Sequence, residues 1–393
     1  MELRQLIPLF DTSASRWATL ARLLRWLTLL WLFIGLVILF SASYPVGIKD
    51  FRDGLYYFKR QLISIIIGLV IFNWVIHSPL RRILGVSHWF VFLFLALICV
   101  TLIPGIGTNT NGAARWIAIG SFQLQPSELI KPFLLLQSAR VFGQWDKLKW
   151  QSKVIWLGIF GLVLGGILLQ PNLSTTALCG MALWLIALAA GLPYSYLILT
   201  ALSGIMLAFA SINRHEYQKQ RVISFINPWA DAADTGYQLV QSLLAIGSGG
   251  TWGTGYGLSH QKLFYLPIQY TDFIFAVFAE EFGFVGCTLF LLLLVAYSAI
   301  ALLVAFKATN AVHRLVAIGA MIFLVGQSLL NIGVASGALP TTGLPLPLVS
   351  YGGNSIISSL LIAGLIIRVA RESSEGQVVP LTQRRPVNER SHY

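Results

Sequence analysis

Residues 284–306 read FVGCTLFLLLLVAYSAIALLVAF, a run without one charged side chain. As a helix rising 1.5 Å per residue, this run would be about 35 Å long, enough to cross the hydrocarbon core of a bilayer, which is about 30 Å thick. Similar apolar runs recur from residue 22 to residue 370. Hydrophobic residues make up 56% of the chain and charged residues 11%, which excludes a water-soluble domain of this size. The sequence therefore predicts an all-α polytopic membrane protein.

Hydropathy divides the chain into ten predicted membrane spans. The apolar stretch at 154–190 is too long for one crossing, and Gln170-Pro171-Asn172 supplies a polar break, so it counts as two spans. The transmembrane domain covers residues 22–370, between a cytoplasmic segment at 1–21 and a polar tail at 371–393 that its composition predicts to be disordered. The spans are expected at residues 22–42, 61–77, 87–103, 127–143, 154–170, 174–190, 194–212, 272–305, 315–336 and 351–370.

The net charge of +12 would suggest a nucleic-acid partner in a soluble protein, but here the basic residues fall mostly in short segments between spans. The tendency of Lys and Arg to stay in the cytoplasm explains them without nucleic acid. Ten spans place both termini in the cytoplasm. The loop at 49–60, with four basic residues diluted by Asp50 and Asp53, counts against this orientation. The supporting basic residues are Arg81, Arg82, Arg140, Lys147, Lys149, Lys153, Lys307, Arg314, Arg368 and Arg371.

The same orientation places the longer polar segments, 104–126, 213–271 and 337–350, outside the membrane. Functional residues concentrate on loops held by a rigid scaffold, so we expect function on this outer side. Glycines crowd residues 247–257, which favours a flexible linker and also permits anion-binding turns. The pattern matches neither a phosphate loop nor a dinucleotide fingerprint, so no nucleotide site is predicted.

Two charged residues open the fourth span. In Gln125-Pro126-Ser127-Glu128-Leu129-Ile130-Lys131, Glu128 and Lys131 are three positions apart and share a helix face. Charges at membrane depth are costly and mark functional sites. An ion pair that neutralises itself at the membrane edge is the structural alternative. Pro132 removes the amide that would bond the Glu128 carbonyl, which implies a local pocket or a water.

Asp272 lies where the largest outer segment ends and the eighth span begins. It could be an N-cap that accepts hydrogen bonds from free helical amides. It could also be a carboxylate beside a low-dielectric wall, whose pKa rises into the range useful for a general base. Glu280 and Glu281 lie about two turns deeper, roughly 12 to 14 Å along the helix. We interpret them as partners of buried polar groups, with a proton path as the alternative.

Arg115 and Trp116 place a cation and an aromatic ring in the first outer segment. A guanidinium group binds phosphate with two parallel hydrogen bonds, so Arg115 suits the headgroup of an anionic lipid. Trp116 is equally typical of the aromatic belt at a membrane interface.

Five motifs, which occur in order over roughly residues 20 to 370, resemble the SEDS family of FtsW, RodA and SpoVE. The resemblance implies a ten-span fold and transfer of a growing glycan from its undecaprenyl-diphosphate carrier to lipid II outside the membrane. The motifs are Arg115-Trp116, Gln125-Pro126-Ser127-Glu128 with Lys131, Gly236-Tyr237-Gln238, Thr271-Asp272-Phe273-Ile274-Phe275-Ala276 with Glu280-Glu281, and Gly343-Leu344-Pro345-Leu346-Pro347 through Ser350-Tyr351-Gly352-Gly353.

The resemblance also implies roles for residues. Asp272 aligns with the family's essential aspartate and would take the proton from the acceptor's GlcNAc 4-hydroxyl as it attacks the anomeric carbon of the donor MurNAc with inversion. Cations would stabilise the leaving diphosphate. A divalent cation, Mg²⁺ or Mn²⁺, could assist, although the sequence shows no metal site. The predicted substrate-binding set is Arg115, Trp116, Glu128, Lys131, Arg214, Arg221, Gln238, Lys262 and Ser350.

Two positions depart from the family pattern, and neither is carried over as catalytic. Asn172 stands where an aspartate is common, and residues 268–270 read Ile-Gln-Tyr where Glu-x-His is common. The N-terminal segment and the stretch at 225–231 look more like division-type members than like elongation-type ones. Septal cell-wall synthesis is therefore expected, with a RodA-type elongation polymerase as the alternative.

The family resemblance implies partners as well. A class B penicillin-binding protein, which is an FtsI-type transpeptidase, and other division proteins would assemble with the chain in the bacterial plasma membrane at the septum. The sequence is also compatible with two other functions, a lipid II flippase with intramembrane acids as coupling groups and a scaffold that only recruits the transpeptidase.

Overall fold

The computed structural model describes residues 17–105, 107–110, 113–120 and 122–375. Every predicted span coincides with one or two helices of this part of the chain. A π-turn at Ile322–Gly326 joins the two helices of the ninth span. The helices are α1 (Thr19–Phe51), α2 (Tyr56–His77), α3 (Leu80–Thr101), α4 (Pro126–Leu129), α5 (Lys131–Phe142), α6 (Trp150–Leu169), α7 (Leu173–Ala189), α8 (Tyr194–Arg214), α9 (Glu216–Ile226), α10 (Tyr237–Ser248), α11 (Ile274–Lys307), α12 (Ala311–Met321), α13 (Gln327–Ala335) and α14 (Gly353–Glu375).

Within the described ranges, eight helical segments are long and apolar enough to cross a membrane. Of the other two predicted spans, α7 has 17 residues, and the fourth is divided into α4 and α5 at Ile130. The helix thus breaks close to Pro132, as expected for a residue that lacks an amide hydrogen. The polytopic all-α fold predicted from hydropathy is confirmed.

The last two spans form the centre of the bundle, since α14 and the α12–α13 segment are the most buried. Close approach of α14 to α2 depends on glycine. A side chain at Gly68 would begin 2.6 Å from Leu360 Cδ1, and one at Gly364 would begin 3.1 Å from the carbonyl oxygen of Phe72. Without a hydrophobic driving force inside lipid, such close van der Waals contact is what holds spans together.

The glycine-rich segment is not a flexible linker, so that expectation was wrong. α11 is kinked at Gly283, where φ is 65°. The freed backbone groups pair with the glycine segment, as in Thr254 N–H to Glu280 O at 2.9 Å and Phe284 N–H to Gly250 O at 2.9 Å. A side chain at Gly283 would collide with the Gly253 amide. Glycines occur here because two backbones touch and satisfy each other at a helix break.

The outer segments carry more regular structure than the sequence predicted. Residues 213–271 include α9 and α10, and α10 buries Leu239, Val240 and Ala245. The segment at 104–126 forms a small antiparallel sheet with the strand order β1 (Gly107–Thr110), β2 (Ala113–Ile119) and β3 (Phe122–Leu124). The outer segments therefore contain two helices and a three-stranded sheet among their described residues.

At the carboxyl end, α14 continues to Glu375, a few residues into the predicted tail. Residues 376–393 lie outside the described ranges, as do residues 1–16 of the predicted N-terminal segment.

Candidate active site at the outer ends of the helices

Asp272 lies in the turn directly before α11. The helix begins at Ile274, and its N-cap is Phe273, with no capping hydrogen bond from a side chain. The N-cap interpretation of Asp272 is therefore wrong. Its carbonyl oxygen accepts a hydrogen bond of 2.8 Å from Nδ2 of Asn331 on α13, which also donates to the carbonyl oxygen of Leu344 at 2.8 Å. One buried amide thus joins the Asp272 turn to the proline-rich loop that follows α13.

Further bonds fix this loop, residues 337–350, against the same turn. Ser350 Oγ donates to the carbonyl oxygen of Thr271 at 2.5 Å and accepts from the amide of Leu346 at 2.8 Å. The amide of Tyr351 donates to the carbonyl oxygen of Tyr270 at 2.9 Å. Ser350, predicted as a substrate contact, therefore holds the backbone on both sides of the candidate site.

Gly343 brings the loop against the carboxyl group. Its φ is +75°, a backbone conformation that residues other than glycine rarely adopt. A side chain at this position would begin 3.5 Å from Oδ2 of Asp272 and 3.8 Å from Nη1 of Arg221. The carboxylate of Asp272 and the guanidinium of Arg221 thus flank the same glycine.

Arg221 is positioned by α9 and by the loop. Its Nη1 donates to the carbonyl oxygen of Thr341 at 3.2 Å, and Nη2 donates to the hydroxyl of Tyr217. The guanidinium also lies over the Tyr217 ring, 4.4 Å from its centroid. These partners are uncharged and do not neutralise the guanidinium, so its positive charge is available to an anion.

Arg115 reaches the site from strand β2. Its Nε donates to the carbonyl oxygen of Gln170 at 3.1 Å, and Nη2 donates to that of Pro171 at 2.5 Å. The polar break between α6 and α7 therefore positions this side chain. Asn172 in the same break caps α7, since its Oδ1 accepts from the amide of Thr175 at 3.3 Å. Asparagine and aspartate are comparably good at an N-cap, so the departure from the family pattern leaves this cap in place.

Burial and the neighbouring positive charges shift the pKa of Asp272 in opposite directions. Burial raises the pKa of its carboxyl group above the usual value, and Arg221, a hydrogen bond from Thr271 and Arg115 counteract part of that shift. Burial lowers the pKa of Arg115, and the neighbouring charge of Arg221 adds to that effect. Arginine stays protonated in proteins, so the site combines a carboxylate able to take a proton with two fixed positive charges.

Glu128 and Lys131 form the predicted ion pair, with 2.6 Å between Nζ and Oε1. Both side chains are almost completely buried. Lys131 also donates to Oε1 of Gln327 at 3.1 Å, and Gln327 in turn donates to the carbonyl oxygen of Pro345 at 2.7 Å. Gln327 and the loop thus connect the pair to the Asp272 site.

A second buried ion pair joins Lys262 to Glu281, at 2.7 Å. Ser41 on α1 donates to the same Glu281 oxygen at 2.6 Å and accepts from Lys262 Nζ at 2.7 Å. Glu280 accepts from the Ser259 hydroxyl and, at 2.9 Å, from the amide of His260. The interpretation of both acids as partners of buried polar groups is confirmed.

The other predicted contacts are spread over the outer side. Lys131 and Lys262 already have buried carboxylate partners, so their contact with substrate stays a prediction and the structure gives each another role. Arg214 is exposed at the end of α8, and Gln238 is half-buried on α10. Trp116 is half-buried on β2, close to Arg115 in sequence. The geometry brings Asp272, Arg115, Arg221 and Ser350 together. A role in catalysis or substrate binding stays a prediction for these four residues, as it does for Trp116, Arg214 and Gln238.

Sequence reasoning missed Gln327 and Asn331, the two buried amides that hold the loop. They lie four residues apart on α13, so they share a helix face. Polar side chains at this spacing inside an apolar span were a usable signal. The sequence also gave no sign that three half-buried tyrosines, Tyr57, Tyr270 and Tyr351, cluster beside the Asp272 turn. Their ring centroids lie 4.6 to 5.7 Å apart.

The groups around Asp272 do not suit a divalent metal. Its charged neighbours are two guanidinium groups, which would repel a cation. Elsewhere in the described chain, no group of three or more His, Cys, Asp and Glu side chains could hold a metal ion.

Known proteins resemble this chain in both sequence and fold. The chain is 56% identical over 379 residues to a protein of Synechocystis sp. named "Probable peptidoglycan glycosyltransferase FtsW". The matched residues cover 96% of each chain. A solved chain described under "Structural coordination of polymerization and crosslinking by a peptidoglycan synthase complex" has a TM-score of 0.72 and 28% identity and covers 89% of this chain and 97% of that one.

The rod shape determining protein RodA of Thermus thermophilus has a TM-score of 0.65 with 28% identity, covering 89% of this chain and 96% of that one. The family model for FtsW, RodA and SpoVE, described as "Cell cycle protein", matches residues 21–375. That match includes every residue of the candidate site. The chain belongs to the FtsW, RodA and SpoVE family of cell cycle proteins.

Proposed function

We propose that this chain is a peptidoglycan glycosyltransferase that polymerises lipid II on the outer side of the membrane, with Asp272 as the general base. The observation that carries the proposal is the half-buried Asp272 carboxyl, whose pKa burial raises, beside the guanidinium groups of Arg221 and Arg115. The relative of Synechocystis sp. is named for this activity, which supports the substrate class.

The reaction joins two lipid-linked sugars. The oxygen of the acceptor's GlcNAc 4-hydroxyl forms a bond to the anomeric carbon of the donor MurNAc, while the bond from that carbon to the diphosphate oxygen breaks. Asp272 takes the hydroxyl proton and later releases it to water. A base works best when its pKa lies near the operating pH, and burial moves the pKa of Asp272 in that direction.

The leaving diphosphate gains negative charge as the bond breaks. Arg221 and Arg115 are held in place by carbonyl oxygens, so they need no reorganisation to meet that charge. Preorganised donors of this kind stabilise a transition state more than a ground state. No nucleotide is needed, because the lipid diphosphate is already activated.

Septal synthesis in cell division is the cellular role we infer, since the relative of Synechocystis sp. carries the FtsW name. An elongation role remains the alternative, since a solved RodA shares the fold. We infer a class B penicillin-binding protein as partner, supported by the likeness to a chain of a complex described as coordinating polymerization and crosslinking.

A lipid II flippase would need charged groups along a path through the bilayer. The buried acids Glu128 and Glu281 are each paired with a lysine at 2.7 Å or less, which leaves them poorly suited to coupling transport. The geometry therefore favours polymerisation over transport.

The test uses the purified protein with its transpeptidase partner in liposomes containing labelled lipid II. Asp272→Asn removes the base and keeps the shape, and we expect glycan synthesis to fall by about 100-fold or more. Asp234→Asn, which alters an exposed carboxylate in the same outer segment, is the matched control and should polymerise as the wild type does.

Thermal unfolding of each variant checks that the fold is intact. Wild-type rates from Asp272→Asn would overturn the base assignment. Lipid II that crosses the bilayer without forming polymer, in the wild-type protein, would favour the flippase instead.

A further inference from the structure

A cavity of about 450 Å³ lies on the predicted cytoplasmic side. It is formed where the α5–α6 connection, the α7–α8 turn and the start of α12 meet, and these segments contribute Lys147, Gly191 and Arg314. α12 follows the carboxyl end of α11, whereas Asp272 precedes its amino end. The cavity is therefore separated from the candidate active site by the length of the 34-residue helix α11.

The cavity wall is positively charged. Lys147 and Arg314 line it together with a single carboxylate, Asp146. Neither basic side chain has an ion pair or a side-chain hydrogen bond with any residue in the described ranges, and both are exposed. Lys153 adds a third positive charge, since its Nζ lies 4.9 Å from the centroid of the Trp145 ring, which lines the cavity. Lys147 and Arg314, which have no such partner among the described residues, are available to an anion.

Aromatic rings and helix ends complete the wall. Trp145 and Tyr196 line the cavity, and such rings concentrate at the level of lipid headgroups. Two helices also begin there, α8 after Pro193 and α12 at Ala311. The amino end of a helix carries partial positive charge, which adds to that of the side chains.

We propose that this cavity binds the phosphate-bearing headgroup of an anionic lipid from the cytoplasmic leaflet. Basic pockets between membrane helices on this side are suited to such headgroups. The volume falls within the range of about 300 to 1,000 Å³ found for small-molecule sites. The carboxylate of Asp146 favours a headgroup that also donates a hydrogen bond, so the glycerol hydroxyls of phosphatidylglycerol match the wall better than a bare phosphate does.

The test measures lipid binding by the full-length protein in detergent, with native mass spectrometry and thermal unfolding. Phosphatidylglycerol should bind and raise the unfolding temperature, and phosphatidylcholine should do neither. The double variant Lys147→Gln/Arg314→Gln should weaken phosphatidylglycerol binding by roughly tenfold to thirtyfold, since each basic residue near an anionic headgroup contributes about 1 kcal/mol.

Two further variants separate charge from fold. Lys147→Arg/Arg314→Lys keeps both charges and should bind as the wild type does. Arg81→Gln/Arg82→Gln removes two exposed charges on the same side but outside the cavity and should have no effect. An equal loss in this control would overturn the proposal, because attraction would then be a property of the whole surface. Binding of glycerol phosphate as tight as that of the lipid would also overturn it.

Discussion

Asp272 and Glu281 lie nine residues apart in the sequence but in different electrostatic environments. Glu281 is inside α11, buried and bonded at 2.7 Å to Lys262 and at 2.6 Å to Ser41. Asp272 is in the turn before the helix, half-buried, and no ion pair within 4.0 Å involves it among the residues that the structure describes. Arg221 and Arg115 act on it through space.

The difference separates charges that hold the fold from a charge that can react. A buried carboxylate paired with a lysine has its charge compensated by that lysine, and the pair helps to hold the packed helices together. Burial raises the pKa of the Asp272 carboxylate, and the guanidinium groups of Arg221 and Arg115 lie nearby without an ion pair to it. Such a carboxylate can take up a proton.

Lys131→Met leaves Glu128 as an uncompensated buried charge. We expect a loss of about 3 to 5 kcal/mol in the free energy of unfolding, the cost of breaking one side of a buried ion pair. The double variant Glu128→Gln/Lys131→Met removes both charges and should recover most of that loss. Denaturant titration in detergent measures both. A stable but inactive Lys131→Met protein would contradict the distinction and return Lys131 to the substrate-binding set.

Ser41→Ala removes the hydroxyl that bridges Lys262 and Glu281. We expect a loss of about 1.5 to 3 kcal/mol, as for hydrogen bonds to charged groups. Ser43, two residues along the same helix, is equally buried, but its hydroxyl has no hydrogen-bond partner within the described part of the chain. Ser43→Ala should therefore be neutral or slightly stabilising, and equal losses in the two variants would show that the bridge contributes nothing.

Arg221→Gln removes a positive charge that lowers the pKa of Asp272. A general base works when deprotonated, so the rate rises as pH passes through its pKa. Without Arg221 that pKa is higher, and we expect the acidic limb of the pH–rate profile to move to higher pH. Burial still raises this pKa in the variant, so the acidic limb moves further in the direction that burial already sets.

The matched control for the pH profile is Lys219→Gln, an exposed cation on the same helix as Arg221, paired with Glu216 at 3.8 Å. Its profile should overlay that of the wild-type protein. An acidic limb that stays in place in Arg221→Gln, or moves to lower pH, would show that Arg221 does not act on the base.

Part of the candidate site could be read from local spacing. Glu128 and Lys131 pair as their separation of three residues predicted, because neighbours on one helix face meet whatever the tertiary packing. Asp272 was located correctly at the start of a span, but its N-cap role was wrong. The helix begins two residues later, and Phe273 takes the capping position.

The glycine-rich segment shows why composition alone could mislead. Glycine density is compatible with mobility and equally with close contact between two backbones. The segment is in fixed contact and not mobile because α11 is kinked at Gly283, some thirty residues downstream. The backbone groups that the kink leaves without helical partners form hydrogen bonds with residues 250–255. Nothing in the segment itself indicates that partner.

Hydropathy and spacing were enough to predict the membrane spans, the outer position of Asp272 and the Glu128–Lys131 pair, because runs of about twenty apolar residues and spacings of three or four positions act locally. Three contacts could be seen only in the folded chain: Arg221 and Asp272 flank Gly343, the carbonyls of the α6–α7 break hold Arg115, and Lys262 pairs with Glu281. These contacts join segments far apart in the chain, and packing of the helices, which no local period records, brings them together.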